Sequence, residues 1–524
     1  MSDPTTPAGD PTARDSTSAP DPAAEPVVER ATADVVVIGG GVAGLVAALE
    51  CAKVGLQVTV LERRDELGGC VGRIELDGLT LDSGAESFAT RGGAVAELLG
   101  SLGLDAAIEN PNPAGAWLVM PGKHGLDAAP LPKTGMLGIP ANPLGDDVRR
   151  IIGWNGAIRA YLDRVKPILR IGRARSLGEL VRERMGQAVL DRLVTPISAG
   201  VYSTDPVDLD LDIVAPGLNE AMTRTGSLSG GVGQLLEERK AGSAVRGIRG
   251  GMHRLVDTLE RELARFGVTV VRGAEVTGLE RDAATRERDA ASSAEASGWL
   301  VTATTETGRL LVTAPDVVLA ASGHAALALV DDALDGWTHT SDADGAAWPA
   351  AASVELVTLV LDAPGLDAAP RGTGVLVAAD APGVTAKALT HSTAKWSWLA
   401  EQAGGRHVVR LSYGRAGSAN PLDGRSDAEV AELALADASL LLGVQLDERM
   451  LRASGRTVWR DAISQATIGQ HERVHALEDA LAAEPGIEAT GSWVAGTGLA
   501  SVVPHALEAA RRVRHRRVQP EANA

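Results

Sequence analysis

The run Val35-Val36-Val37-Ile38-Gly39-Gly40-Gly41-Val42-Ala43-Gly44 constrains the fold more than any other stretch of the chain. Its β-branched start reads as a buried strand, and the apolar residues from Leu45 to Val54 read as a helix. Between them the glycines fit G-x-G-x-x-G, a turn that brings a dinucleotide pyrophosphate onto a helix N-terminus. Gly39 permits the tight turn, Gly41 lets the pyrophosphate approach the backbone, and Gly44 lets helix and strand pack closely. A second strand, Gln57 to Leu61, ends in Glu62, eighteen positions after Gly44, where a carboxylate can accept from a ribose diol. Ala33 to Ala52 is long enough to span a bilayer. Its glycines and β-branched beginning fit strand, turn and helix better.

Composition narrows the partners. The chain has 524 residues and a formal charge of −18, so a nucleic-acid binder, which must neutralise phosphates, is not expected. Two cysteines, Cys51 and Cys70, are too few for a disulfide framework or a structural zinc site, which fits a reducing, cytoplasmic setting. Residues 1–30 hold almost no large apolar side chain and are expected to be a disordered tail. They lack a basic stretch followed by an apolar one, so a secretory signal is not expected.

After Glu62-Arg63-Arg64 comes a second glycine pair, Leu67-Gly68-Gly69, and then Arg73. The first turn alone would serve NAD as well as FAD. The whole stretch from Val35 to Arg73 resembles the FAD-binding entry of the flavoprotein group that includes amine oxidases, phytoene desaturases and protoporphyrinogen oxidases. The resemblance implies FAD held by Gly39, Gly40, Gly41, Val42, Ala43, Gly44, Glu62, Arg63, Gly68, Gly69 and Arg73.

Asp77-Gly78 between Ile74-Glu75-Leu76 and Leu79-Thr80-Leu81 is a hairpin signal. The next residues, Asp82-Ser83-Gly84-Ala85-Glu86-Ser87-Phe88, resemble the D-x-G-x-[DE]-S-F segment of bacterial protoporphyrinogen and coproporphyrinogen oxidases. Later segments resemble the same family: Met136 to Pro140, Pro196 to Tyr202 with Asp205-Pro206, Gly250-Gly251-Met252, Lys387 to Thr390 with Lys395-Trp396, and Gly496 to Ser501. The resemblance runs from about residue 33 to 513. It implies that Gly84, Ala85, Glu86, Ser87, Gly496, Leu499, Ala500 and Ser501 lie near the flavin. Trp459 is either a flavin neighbour or a core aromatic, and Val276 either packs on the adenine side or is a plain core valine. Ser464-Gln465-Ala466 and Gly469-Gln470 depart from the family's P-Q-Y and G-H, so no histidine role is carried over there.

The fold class expected is α/β: a Rossmann-like FAD-binding domain built from discontinuous segments, with an inserted mixed α+β substrate domain and a helical, membrane-type subdomain. Residues 31–110, 245–330 and 455–515 are assigned to FAD binding. Residues 111–244 read as a mostly helical insertion and 331–454 as a mixed one, together forming the substrate side. Arg281 to Ser297 reads as a solvated insertion. Arg511 to Arg517 reads as a solvated helix end, with contact to an anionic membrane as the alternative.

No nucleophile, base or metal constellation stands out, so no catalytic side chain is named and no metal is expected; the flavin carries the chemistry. The resemblance implies oxidation of coproporphyrinogen III to coproporphyrin III with molecular oxygen, in haem synthesis. Protoporphyrinogen IX is the alternative substrate. A flavin amine oxidase and a non-catalytic flavin sensor are the remaining readings. Propionates need cationic partners, and Arg91 is the first candidate, with Lys133 and Lys387 behind it.

Overall fold

The computed structural model describes residues 27–167, 173–238, 244–282, 298–334, 337–339, 348–349, 352–462 and 466–518. At its centre is a five-stranded sheet in the order Thr269–Val271, Val58–Leu61, Val35–Ile38, Asp316–Leu319, Ile487–Ala489. Every pairing in it is parallel. Parallel strands are buried on both faces, and the runs Val35–Ile38 and Val58–Leu61, apolar but for Thr59, are buried at every position. One face is covered by the helices Val42–Ala52, His253–Arg265 and Leu499–Val518, the other by Gly323–Ala333 and Gln470–Ala482.

The expected first helix, Leu45 to Val54, in fact starts at Val42 and ends at Ala52, because the glycine turn hands over to it without a spacer. The tail expected over residues 1–30 also needs correction at its end. Val27–Thr32 is a strand, paired in parallel with Gly308–Ala314 in a four-stranded sheet. Its residues are exposed, so backbone pairing rather than burial places it there, and composition carries no sign of that. Most of the stretch Arg281 to Ser297 lies outside the described residues.

A second, seven-stranded mixed sheet runs Leu451–Ala462, Ala352–Leu361, His407–Tyr413, Ala388–His391, Gly374–Val377, Ala116–Gly122, Gly125–Pro130. Its last two strands come from the stretch expected to be mostly helical. Strand alternation divides its residues. Val357, Leu359, Val409, Leu411 and Tyr413 pack on one face with the helix Asp427–Leu442. Thr358, Arg410 and Trp459 share the other face through the pairs Thr358 with Arg410 and Val354 with Trp459. Helices between 146 and 238 form a separate core pinned by Asp163. Its buried carboxylate accepts from Arg184 at 2.6 Å and from the amides of Leu228 and Ser229.

The carboxyl-terminal arginines are not a freely solvated helix end. Arg516 reaches the fully buried Asp316 at 2.8 Å and Glu488 at 2.6 Å; Arg517 also bonds Asp316, and Arg514 bonds Glu50 at 3.1 Å. This clamp fixes the far end of the helix Leu499–Val518 against the parallel sheet. Among the described residues no helix is long and apolar enough to cross a membrane.

Candidate flavin site

The site begins at the glycine turn. Gly39 has φ +109°, and a Cβ there would lie 2.6 Å from the Ala320 carbonyl; one on Gly44 would lie 2.0 Å from the Gly39 oxygen. Only glycine lets the helix Val42–Ala52 start this close beneath the strand. Gly68 locks the turn from above, its N–H donating to the Gly40 oxygen at 2.8 Å and its backbone bridging to Gly41. By contrast, a Cβ on Gly41 would meet nothing nearer than the Gly69 Cα at 4.0 Å. No side chain caps the helix, so its positive end faces that open space, and the pair Gly68-Gly69 forms its rim. Phosphate oxygens fit this cradle.

Glu62 is buried, and each carboxylate oxygen accepts one backbone N–H, from Gly40 at 2.6 Å and from Arg64 at 3.0 Å. The sequence reading gave it a ribose role only; it also ties the turn to the end of the second strand. Carboxylate oxygens accept more than one hydrogen bond, so a ribose diol remains within its capacity.

The segment Asp82–Phe88 is held from three directions. Below, Ala85 N–H donates to the Cys70 oxygen at 2.9 Å, and a Cβ on Gly84 would lie 2.1 Å from that oxygen. To one side, the Asp82 carboxylate accepts from the amides of Met252 and His253 at 3.0 and 3.1 Å. The turn Gly250-Gly251 thus presents the start of the helix His253–Arg265 to an anion, a favourable end for negative charge. Above, Arg410 donates to the Gly84 oxygen at 2.6 Å and lies 3.4 Å from the Glu86 carboxylate. Ser392 Oγ donates to Glu86 at 2.5 Å, and Lys395 lies 3.5 Å away. Burial pushes the Glu86 pKa up, but Arg410, Lys395 and the Ser392 hydroxyl outweigh it and hold the carboxyl below its ordinary value. The sequence places Asp82 in a family-like segment without a role for it and does not point to Arg410. Their contacts span about 170 and 330 residues and leave no local pattern.

Trp459 stands over this segment, its ring edge 3.2 Å from where a Gly84 Cβ would sit and its ring centroid 5.3 Å from the Arg64 guanidinium. Its Nε1 is buried without a hydrogen-bond partner, which suits a polar group arriving from outside the protein. Across the site, the turn Gly496–Gly498 opens the helix Leu499–Val518, and Ser501 Oγ accepts from Arg91 at 2.9 Å. Leu499 and Ala500 pack into the core beside the first helix. The glycine cradle, Glu62 and the orphaned Trp459 nitrogen together fit a dinucleotide with a polar ring system.

The remaining candidates differ in exposure and in what engages them. Arg63 and Lys133 are exposed. Arg73 is half exposed and pairs with Asp257 at 3.1 Å. Val276 packs at the margin of the apolar cluster on the second face of the parallel sheet. Ser87 is half-buried. Lys387 is buried, and its ammonium donates to Ser203 Oγ and the Gly414 oxygen at 2.6 and 2.5 Å, so a propionate cannot reach it from solvent. Among the described residues no cluster of His, Cys, Asp and Glu converges on a metal position.

The model of the flavin-containing amine oxidoreductase family matches residues 42–513. The chain belongs to that family. It is an oxidoreductase, and its cofactor is FAD. Two relatives named coproporphyrinogen III oxidase are similar over most of their length. That of Mycobacterium tuberculosis is 30% identical, covering 89% of this chain and 94% of its own, and that of Bacillus subtilis is 26% identical with the same coverage. Among solved structures, a candidate protoporphyrinogen oxidase from Exiguobacterium superposes with a TM-score of 0.75 at 23% identity, covering 93% of this chain and 99% of that one. A putrescine oxidase superposes with a TM-score of 0.60 at 16% identity, covering 92% and 99%. These two likenesses establish the shared fold.

Glu62→Ala removes a charged acceptor and the tie to Gly40. FAD affinity is expected to fall by about 1.5–3 kcal/mol, read as flavin lost on dilution and dialysis. Full retention of flavin would remove Glu62 from the site.

Lys387 gives a pH test. Burial, reinforced by Arg415, brings its pKa down to about 7 from an ordinary lysine value of 10.5. Below pH 7 the folded and unfolded chains both carry the proton, and the cost of burying the charge is felt in full. Between 7 and 10.5 the unfolded chain binds more protons, so stability attributable to this site rises with pH. Lys387→Met is therefore expected to melt above the wild type near neutral pH, with the gap narrowing towards pH 10. A gap that does not change with pH would contradict the assignment.

Proposed function

We propose that the chain oxidises coproporphyrinogen III to coproporphyrin III in the cytoplasm, with molecular oxygen as acceptor, as a step of haem synthesis. The observation that carries this reading is its 30% identity with the M. tuberculosis coproporphyrinogen III oxidase, over 94% of that protein. Bound FAD supplies two-electron acceptor chemistry, so three rounds would remove six electrons and form three molecules of hydrogen peroxide. The protein's part is to position the substrate and exclude side reactions.

In this reading the cradle at Gly39–Gly44 and Glu62 hold the ADP half of the cofactor. Asp82–Ser87, Trp459 and Gly496–Ser501 surround the ring. Arg91 takes a propionate of the substrate. Its guanidinium is exposed, and Ser501 engages only one of its donors, which leaves the rest of the fork for a carboxylate. Its charge also acts on the Tyr202 phenol, which burial alone would push further up in pKa. Tyr202 belongs to the Pro196–Tyr202 motif, so two family-like segments that are distant in sequence meet beside Arg91.

Protoporphyrinogen IX is the second substrate to test, since a relative named protoporphyrinogen oxidase 1 from Arabidopsis is 25% identical over 57% of this chain. The amine-oxidase reading is not favoured. Tyr413, one of three tyrosines, donates to Asp437 on the opposite face of the large sheet and is not available for an aromatic cage facing Trp459.

Aerobic assay of the FAD-loaded chain on both porphyrinogens, followed by porphyrin fluorescence, is expected to give faster turnover of coproporphyrinogen III. Turnover of protoporphyrinogen IX alone would sink the proposal. Arg91→Ala should raise the KM for coproporphyrinogen III by about tenfold or more at unchanged FAD content, the scale of a lost charged hydrogen bond. An unaltered KM would take Arg91 out of the substrate site.

A further inference from the structure

The helix Gln470–Ala482 opens with His471-Glu472-Arg473-Val474-His475, an H-E-x-x-H spacing that the flavin site does not use. Residues four apart are neighbours on one helix face, so the two imidazoles project side by side. Their Nε2 atoms are 3.2 Å apart, and the rings stand edge to face with centroids at 4.5 Å. Two nitrogens bound to one ion at about 2.0–2.1 Å lie about 2.9 Å apart at a right angle and about 3.4 Å apart at the tetrahedral angle. The separation in this helix falls between those limits. The pair is already at a chelating distance.

The surroundings favour a cation. Glu478 stands on the same helix face, one carboxylate oxygen 3.7 Å from His475 Nδ1 and the other 3.9 Å from Nε2 of His505, on the helix Leu499–Val518. A carboxylate beside the far nitrogen of a ligating imidazole favours the proton there and leaves Nε2 for the metal. On this helix Glu472, Glu478 and Asp479 stand against one arginine, Arg473, which is buried and donates to Thr467 Oγ1 and the Gln470 side chain. Those bonds hold the first turn from its inner side, as does Gln470, donating to the Trp493 oxygen at 3.3 Å. The two histidines are thus carried on backbone that is fixed before any ligand arrives, which lowers the cost of binding one.

Two observations define the kind of site. Among the described residues no three of His, Cys, Asp and Glu converge on one metal position, so the two imidazoles are the protein's whole share and water completes the shell. Glu472 occupies the place that supplies the general base in metal-dependent hydrolases with this spacing, but it pairs with Arg175 at 2.5 Å. The site therefore binds and does not hydrolyse. Neutral imidazole suits zinc, copper and nickel, whereas magnesium and calcium take oxygen ligands. We propose that Nε2 of His471 and Nε2 of His475 chelate one divalent transition ion of the zinc type on the outer face of the helix Gln470–Ala482, bracing its first two turns.

The test is calorimetric titration of the FAD-loaded full chain, free of any affinity tag, with zinc chloride, beside His471→Ala, His475→Ala and the double variant. The uptake that the double variant loses is expected to equal one ion per chain. Losing a group that merely supports a ligand costs a metal site about tenfold or more in affinity, so each single variant, which loses a ligand, should weaken binding at least that much. Zinc should raise the melting midpoint of the wild type and EDTA should reverse the rise, because only the ordered helix presents both nitrogens together. The double variant should show no rise. Both side chains are exposed, so FAD content and the metal-free melting midpoint are not expected to move; His471→Gln with His475→Gln gives the same comparison where alanine disturbs the helix. No uptake by the wild type, or an uptake and melting shift that the double variants keep, would overturn the proposal. Turnover enters none of these readouts, so the substrate reading and this one fail separately.

Discussion

Everything near the cofactor site depends on backbone packed against backbone at the glycine turn. The Gly39 oxygen, the Gly44 α-carbon and the Ala320 carbonyl occupy a space that admits no Cβ, and Gly68 closes it from the other side through the Gly40 oxygen. That contact fixes where the helix Val42–Ala52 starts, and so where its positive end points. It also sets the height of Glu62, whose carboxylate reaches Gly40 only because the second strand ends beside the turn. A cradle of backbone donors is rigid in a way that side chains are not, which suits an anchor for a cofactor that must present its ring elsewhere.

The family-like segment beyond the second hairpin strand is built differently. Ser83–Ser87 is irregular backbone following the strand Leu79–Asp82, and its position is set by charge: the amides of Met252 and His253 hold Asp82, and Arg410 spans the Gly84 oxygen and Glu86. An ion cluster this buried gains from geometry and loses from desolvation, so it specifies a position more than it adds stability. Sheet alternation is what aims Arg410 and Trp459 at the segment. Both lie on the face opposite the packed helix Asp427–Leu442, so the large sheet has one side for the core and one for the site.

What could be read from the sequence follows from how local each cause is. The turn, the strands Val35–Ile38 and Val58–Leu61 and the hairpin at Asp77-Gly78 are set by neighbours a few residues away, and each was legible. The partners of Asp82 and Glu86 were not, because their positions are decided by the order in which distant strands enter two sheets. The strand Val27–Thr32 has polar and exposed residues and is held by its ladder to Gly308–Ala314, which composition does not register. The arginines from 511 to 517 looked like a solvated run because Asp316 and Glu488, their partners, sit at the start and middle of strands about 25 to 200 residues away.

The same charge distribution bears on what can enter the site. Arg410 faces the site but is already engaged by Glu86 and the backbone, and Lys387 is buried on Ser203 and the Gly414 oxygen. Neither can meet a carboxylate without abandoning a buried partner, which is expensive in a desolvated setting. In the proposed reading, a substrate bearing several carboxylates would keep them at the margin, near Arg91 and the closing turn, and offer its neutral ring system to the interior. Such an arrangement would separate binding from chemistry: charge at the rim would set affinity and orientation, and the interior would need no side chain that changes protonation at each turnover.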